Sequence, residues 1–118
     1  MADLASILRA AWNQYGAGDL KGASVTLQKA IKHAPRDAGV LQLRASILFG
    51  EGKLVEAEYF ARQAAAVGPN HAACHHTLGS ILQAGNKLAE AEAAYLEALR
   101  CAPDHAEVLL CLAEVRKQ

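Results

Sequence analysis

A chain of 118 residues with 53% apolar side chains can build one continuous core and is no disordered tail. Its twelve basic and twelve acidic residues cancel and lie scattered, which excludes the concentrated positive surface that a nucleic-acid backbone requires. No apolar stretch approaches the roughly 20 residues that span a bilayer, the start Met1-Ala2-Asp3-Leu4 lacks the basic flank of a signal peptide, and Cys74, Cys101 and Cys111 form no close pair. A cytoplasmic protein with free, packed thiols is expected, with neither nucleic acid nor membrane as partner.

The first predicted unit runs from residue 4 to 37. Leu20, Ala23, Leu27, Ala30 and Ile31 follow helical spacing, with Lys21, Ser24, Gln28 and Lys32 on the other side. A break at Gly16-Ala17-Gly18-Asp19 divides the unit into two helices, because glycine takes the left-handed conformation that ends a helix. Pro35 closes the second helix, and Asp37 is placed to cap the next. The second unit, 38 to 71, repeats the plan with a break at Gly50-Glu51-Gly52-Lys53, then Pro69 and Asn70 as the expected cap. The third, 72 to 105, breaks at Gly85-Asn86-Lys87 and ends with Pro103 and Asp104. A last helix, 106 to 118, keeps Leu109, Leu112 and Val115 on its apolar side.

The three prolines stand 34 residues apart, and the same step aligns Ala23 with Ala57 and Ala91, Ala30 with Ala64 and Ala98, and Leu20 with Leu54 and Leu88. A further column holds Ala11, Ala45, Gly79 and Ala113. Small residues recurring this strictly mark points where helices approach closely.

The period, the small columns and the closing proline resemble the tetratricopeptide repeat family over nearly the whole chain. The resemblance implies an all-α, right-handed superhelical solenoid of three helical hairpins plus a C-terminal extra helix, seven helices in one domain. It also implies that the first helix of each hairpin lines a concave face. Two positions depart from the pattern. The bulky apolar slot of Ile7, Leu41 and Leu109 holds His75 in the third unit, and the slot of Ala10, Leu78 and Leu112 holds Arg44 in the second.

If Ile7, Ala11 and Gln14 point at neighbouring helices, then Leu8, Trp12 and Tyr15 face the groove, since i, i+4 and i+7 share a side. The equivalent stripes are Gln42, Ser46 and Phe49, then His76, Ser80 and Gln83, then Leu110 and Glu114. The expected groove is therefore aromatic near the N-terminus and polar further along. Trp12 is either a ligand anchor or a cover for the first hairpin's open end, and Tyr15 and Phe49 occupy a slot that the family fills with packing aromatics. A subset of the family clamps acidic chaperone tails with Lys, Arg and Asn. The matching positions here hold Leu8, Trp12, Leu43, Ala73 and Thr77, so no such clamp is expected.

His71, Cys74, His75 and His76 form the one cluster with metal-ligand chemistry, but Cys74 and His75 fall on different sides of a helix and no carboxylate stands at a matching spacing. His71 reads as a turn residue, His75 as an interhelical one and His76 as a groove contact, with no metal and no cofactor. Arg44 reads as a side chain that snorkels past its neighbours, and Cys101 and Cys111 as small packing residues. No nucleophile elbow, phosphate loop or paired-carboxylate site is present, so no catalysis is expected. The leading functional reading is an interaction module for a protein or peptide. The alternatives are the substrate-recruiting repeat segment of a larger enzyme, such as a bacterial glycosyltransferase or sulfotransferase, and a scaffold that forms a homodimer through its exposed C-terminal helix.

Overall fold

The first three helices begin where an aspartate meets their orphan amides, and the fourth and sixth follow a left-handed residue that turns the chain. In the computed structural model, which describes residues 3–117, the order is α1 (Leu4–Gly16), α2 (Leu20–His33), α3 (Ala38–Gly50), α4 (Leu54–Val67), α5 (Ala72–Ala84), α6 (Leu88–Cys101) and α7 (Ala106–Lys117). Asp3 accepts from the Ser6 amide at 2.8 Å, Asp19 from Gly22 at 2.9 Å and Asp37 from Val40 at 3.1 Å, capping α1, α2 and α3. The expected cap at Asn70 is not made: His71 is the N-cap of α5 and supplies no side-chain bond. The 34-residue register explains this, because His71, not Asn70, follows Asp37 in its column. Asp104 likewise stands one residue before the start register, which His105 takes.

The turns inside the hairpins behave as their residues dictate. Gly18 and Gly52 sit at φ +84° and +81°, and Asn86 at +61° takes the same left-handed role in the third hairpin. Around Gly52 the Lys53 amide donates to Leu48 O at 2.9 Å and Gly52 to Phe49 O at 3.0 Å, satisfying the last carbonyls of α3.

Helices pair as α1 with α2, α3 with α4 and α5 with α6, and each first helix also touches the next first helix, α1 to α3, α3 to α5 and α5 to α7. The result is an elongated stack of 46 × 26 × 23 Å. Ala23, Ala57, Ala91, Ala30 and Ala98 are completely buried, as are Ala11 and Ala45, so the small columns are where the backbones meet. At Gly79 a Cβ would lie 2.6 Å from the Tyr95 ring, which fills that notch and is itself fully buried. The last helix departs from the pattern. Val108, Leu112 and Val115 are its buried residues, whereas Leu109 is 48% exposed and Ala113 is exposed too. Their registers are closed elsewhere by a following second helix, and among the described residues α7 has none.

Candidate functional site

Three registers of the repeat converge on one hollow. Tyr15 and Phe49 share the first, Ser46 and Ser80 the second, and His76 continues the register of Leu8 and Gln42. Together with Thr77 these side chains line a concavity of about 150 Å³ across α1, α3 and α5. One wall is aromatic and the other carries hydroxyls and an imidazole.

The remaining stripe residues of α1, α3 and α5 have structural partners. Trp12 lies outside the hollow, packs on the cluster between α1, α2 and α3, and braces Tyr15 edge to face at 5.7 Å. Leu8 packs on the same cluster. The Gln42 amide is committed to α5, donating to Thr77 Oγ1 at 3.1 Å and Ala73 O at 3.3 Å. Gln83 Oε1 accepts from the Tyr95 hydroxyl at 2.8 Å, and Ser80 Oγ lies 3.4 Å from the same group. Burial pushes the Tyr95 phenol up to about 12, so it remains a donor under all ordinary conditions. Thr77 was missed by the i, i+4, i+7 stripe because it belongs to the register of Leu43, which points back at the preceding hairpin. The hydrogen-bonding potential of Gln42 one unit earlier was the available signal.

His76 is half-buried between the hollow and the α6–α7 corner, its ring 5.2 Å from His105 and 6.3 Å from Tyr95. Burial holds its pKa below the ordinary histidine range; His105 pushes the same way and the Glu107 carboxylate opposes. The other members of the histidine cluster diverge. His75 is buried and its Nε2–H donates to Pro69 O at 2.8 Å, which fixes its tautomer. His71 is exposed, with Nδ1 3.2 Å from Cys74 Sγ, and burial pushes that thiol up to about 11. Among the described residues no group of three or more His, Cys, Asp or Glu is arranged to hold a metal ion. Cys101 and Cys111 are half-buried and unpaired.

Arg44 does more than snorkel: its guanidinium stands 4.1 Å over the Phe60 ring of α4. Of the five clamp-matching positions, Leu43 is wholly buried and faces no groove. A wider hollow of about 280 Å³ lies on the outer side between α4, α5 and α6, with an apolar floor of Ala65, Leu78 and Ala94. Its charged rim is already satisfied within the chain, Arg62 pairing with Glu58 at 3.0 Å and with Glu90, and Glu97 with Arg100 at 3.0 Å. The concave hollow has no such internal claim on its polar groups beyond those named. No helix among the described residues is long and apolar enough to cross a membrane.

Among solved structures, the first tetratricopeptide domain of human RPAP3 aligns with a TM-score of 0.88 at 21% identity, over 97% of this chain and 90% of that one. The first such domain of Spaghetti (RPAP3), solved with an HSP90 peptide, gives 0.88 at 21% identity over 97% and 93%. An O-GlcNAc transferase from Thermobaculum terrenum gives 0.90 at 22% identity over 98% of this chain and 23% of that one. These likenesses show a shared solenoid fold. No curated protein sequence matches. A family model described as tetratricopeptide repeat matches residues 48–115, and α1 and α2 add the same hairpin ahead of it. The chain belongs to the tetratricopeptide repeat family, a family of protein-interaction modules.

Proposed function

We propose that the chain is a protein-interaction module that holds a peptide or a segment of a partner protein in its concave groove and performs no chemistry of its own. In this reading residues 1–118 act as one domain, with repeats at 4–37, 38–71 and 72–105 and a terminal helix at 106–118. The observation that carries it is the hollow of about 150 Å³ between α1, α3 and α5. Tyr15 and Phe49 offer a rigid apolar seat, and Ser46, Thr77 and Ser80 offer hydroxyls to a peptide backbone, the mix that small recognition sites use. A cytoplasmic setting suits the three unpaired thiols.

The HSP90 peptide held by the Spaghetti domain, SRMEEVD, is acidic at its end. In this chain Leu8, Trp12, Ala73 and Thr77 bring no cation to the clamp-matching positions, so an acidic tail of that kind is not the ligand we infer. The test is a peptide-array screen with the wild-type chain beside a Phe49→Ala, His76→Ala double variant, both checked for helicity by circular dichroism. Specific ligands lost by the double variant support the groove; ligands bound equally by both place recognition elsewhere.

A second reading, the substrate-recruiting repeats of a larger enzyme, is favoured by α7. Leu109 and Leu110 are 48% and 69% exposed on it, and the transferase neighbour carries its matching segment as 23% of its length. The same face would serve a homodimer. Sedimentation of the chain across a hundredfold concentration range separates the two, since only self-pairing depends on concentration.

A further inference from the structure

One register of the repeat stands where each first helix meets the next, and it is filled differently at each joint. At the α1–α3 joint it holds Leu8, which packs on the apolar cluster there. At the α3–α5 joint it holds Gln42, whose amide donates to Thr77 Oγ1 at 3.1 Å and to Ala73 O at 3.3 Å. At the α5–α7 joint it holds His76, and the equivalents of Ala73 and Thr77 are Glu107 and Cys111. There the His76 ring stands edge to face against the ring of His105, in the turn that leads into α7, with centroids 5.2 Å apart. An amide that does not titrate clamps one joint, and two imidazoles meet at the next.

Histidine changes charge around pH 6.5, at about the acid edge of the physiological range. His76 is half-buried, so its charged form gives up hydration on docking, and a second imidazolium beside it adds repulsion. The surroundings offset this only in part. α1 and α3 present Tyr15, Ser46 and Phe49 across the hollow, which bring no carboxylate, while Arg44 is stacked on Phe60. α4 keeps Glu58 and Arg62 paired with each other and with Lys87 and Glu90 on the outer side. α6 presents the Tyr95 ring at 6.3 Å, and its Arg100 is tied to Glu97 and to Pro69 O. On α5 itself His75 turns away to Pro69 O and His71 to Cys74. From α7 come Cys111, Glu114 and Lys117, in the registers of Thr77, Ser80 and Gln83, and Asp104 stands beside His105. Glu107 favours the charged His76 ring but is outweighed by burial and by His105.

α7 is also the helix with the least packing to spare. Val108, Leu112 and Val115 hold it on the common core, but Leu109 is 48% exposed and no second helix follows among the described residues.

We propose that the α5–α7 joint is an acid-sensitive latch, in which protonation of His76 and His105 favours undocking of α7 while the helices before it stay assembled. Undocking returns both rings to water, where their charged forms are fully hydrated, so acid shifts the equilibrium toward the open form. Opening bares Val108, Leu112 and Val115, an apolar face that the docked form hides.

The test is amide hydrogen exchange on the full chain between about pH 7.5 and pH 5, read by NMR as protection factors, which remove the intrinsic pH dependence of exchange. The α7 amides are expected to be less protected than those of α3 at every pH, and to lose protection severalfold as pH falls. His76→Gln, which gives this joint the amide that clamps α3 to α5, should abolish the loss, and His105→Asn should reduce it. Protection of α7 equal to that of α3 throughout overturns the latch, because the helix then opens only with the whole chain. A local opening of α7 that does not change with pH overturns it as well. So does a loss that persists undiminished in both variants, which would pass the acid sensitivity to the α7 carboxylates.

Discussion

The second and third hairpins solve one packing problem in opposite ways. Where α3 and α4 meet, the paired registers hold Ala45 and Ala61, and the adjacent Arg44 and Phe60 stack across the outside. Where α5 and α6 meet, the same registers hold Gly79 and Tyr95, and the ring fills the notch that the missing Cβ leaves. The first hairpin is intermediate, with Ala11 and Leu27. The lesson is that a repeat column constrains the joint volume of two facing positions more than the identity of either. The choice of tyrosine also has a consequence for the groove, because its hydroxyl fastens Ser80 and Gln83 from below.

Four experiments break or sharpen that contrast. Tyr95→Ala removes the largest fully buried side chain and should cost about 3–5 kcal/mol in urea unfolding. Gly79→Ala forces a Cβ to within 2.6 Å of the ring and should cost about 1–3 kcal/mol. Adding Tyr95→Leu to Gly79→Ala recreates the pairing of the first hairpin, so the two changes should couple favourably by at least about 0.5 kcal/mol; strict additivity would refute the volume exchange. In the second hairpin Arg44→Met should cost about 0.5–2 kcal/mol, the worth of a half-buried cation over a ring.

The smallest effect concerns pH. His76 has a folded pKa held below the value near 6.5 that it takes when unfolded, chiefly by burial. The unfolded chain therefore binds its proton first as pH falls, and stability should decline from about 6.5 downward until the folded value is passed, with no such change above neutrality. His76→Gln gives the third hairpin the residue that Gln42 supplies in the second, and should flatten the decline.

Much of the fold was legible because its determinants are local. A proline or a left-handed glycine acts through its own backbone, so Gly18, Gly52 and Asn86 end their helices wherever they stand. The small columns were legible for a related reason, since only close approach demands them repeatedly. Asn70 has the side-chain chemistry of a cap, yet the 34-residue register puts His71 at the start of α5. Of the groove stripe, Tyr15, Ser46, Phe49, His76 and Ser80 do line one hollow, but Gln42 and Gln83 are engaged with neighbouring helices. Helical spacing shows which side a residue faces and is silent on what it meets there.

The sequence by itself determined that the chain is a stack of helical hairpins, where each hairpin turns, and which small residues lie at the contacts, because those follow from periodicity and backbone preference. Only the tertiary structure decided that Arg44 rests on Phe60, that Tyr95 occupies the space of Gly79, and that Leu109 and Ala113 are exposed. Each of these depends on residues distant in the chain meeting across an interface, and no local rule carries the identity of the side chain on the far side.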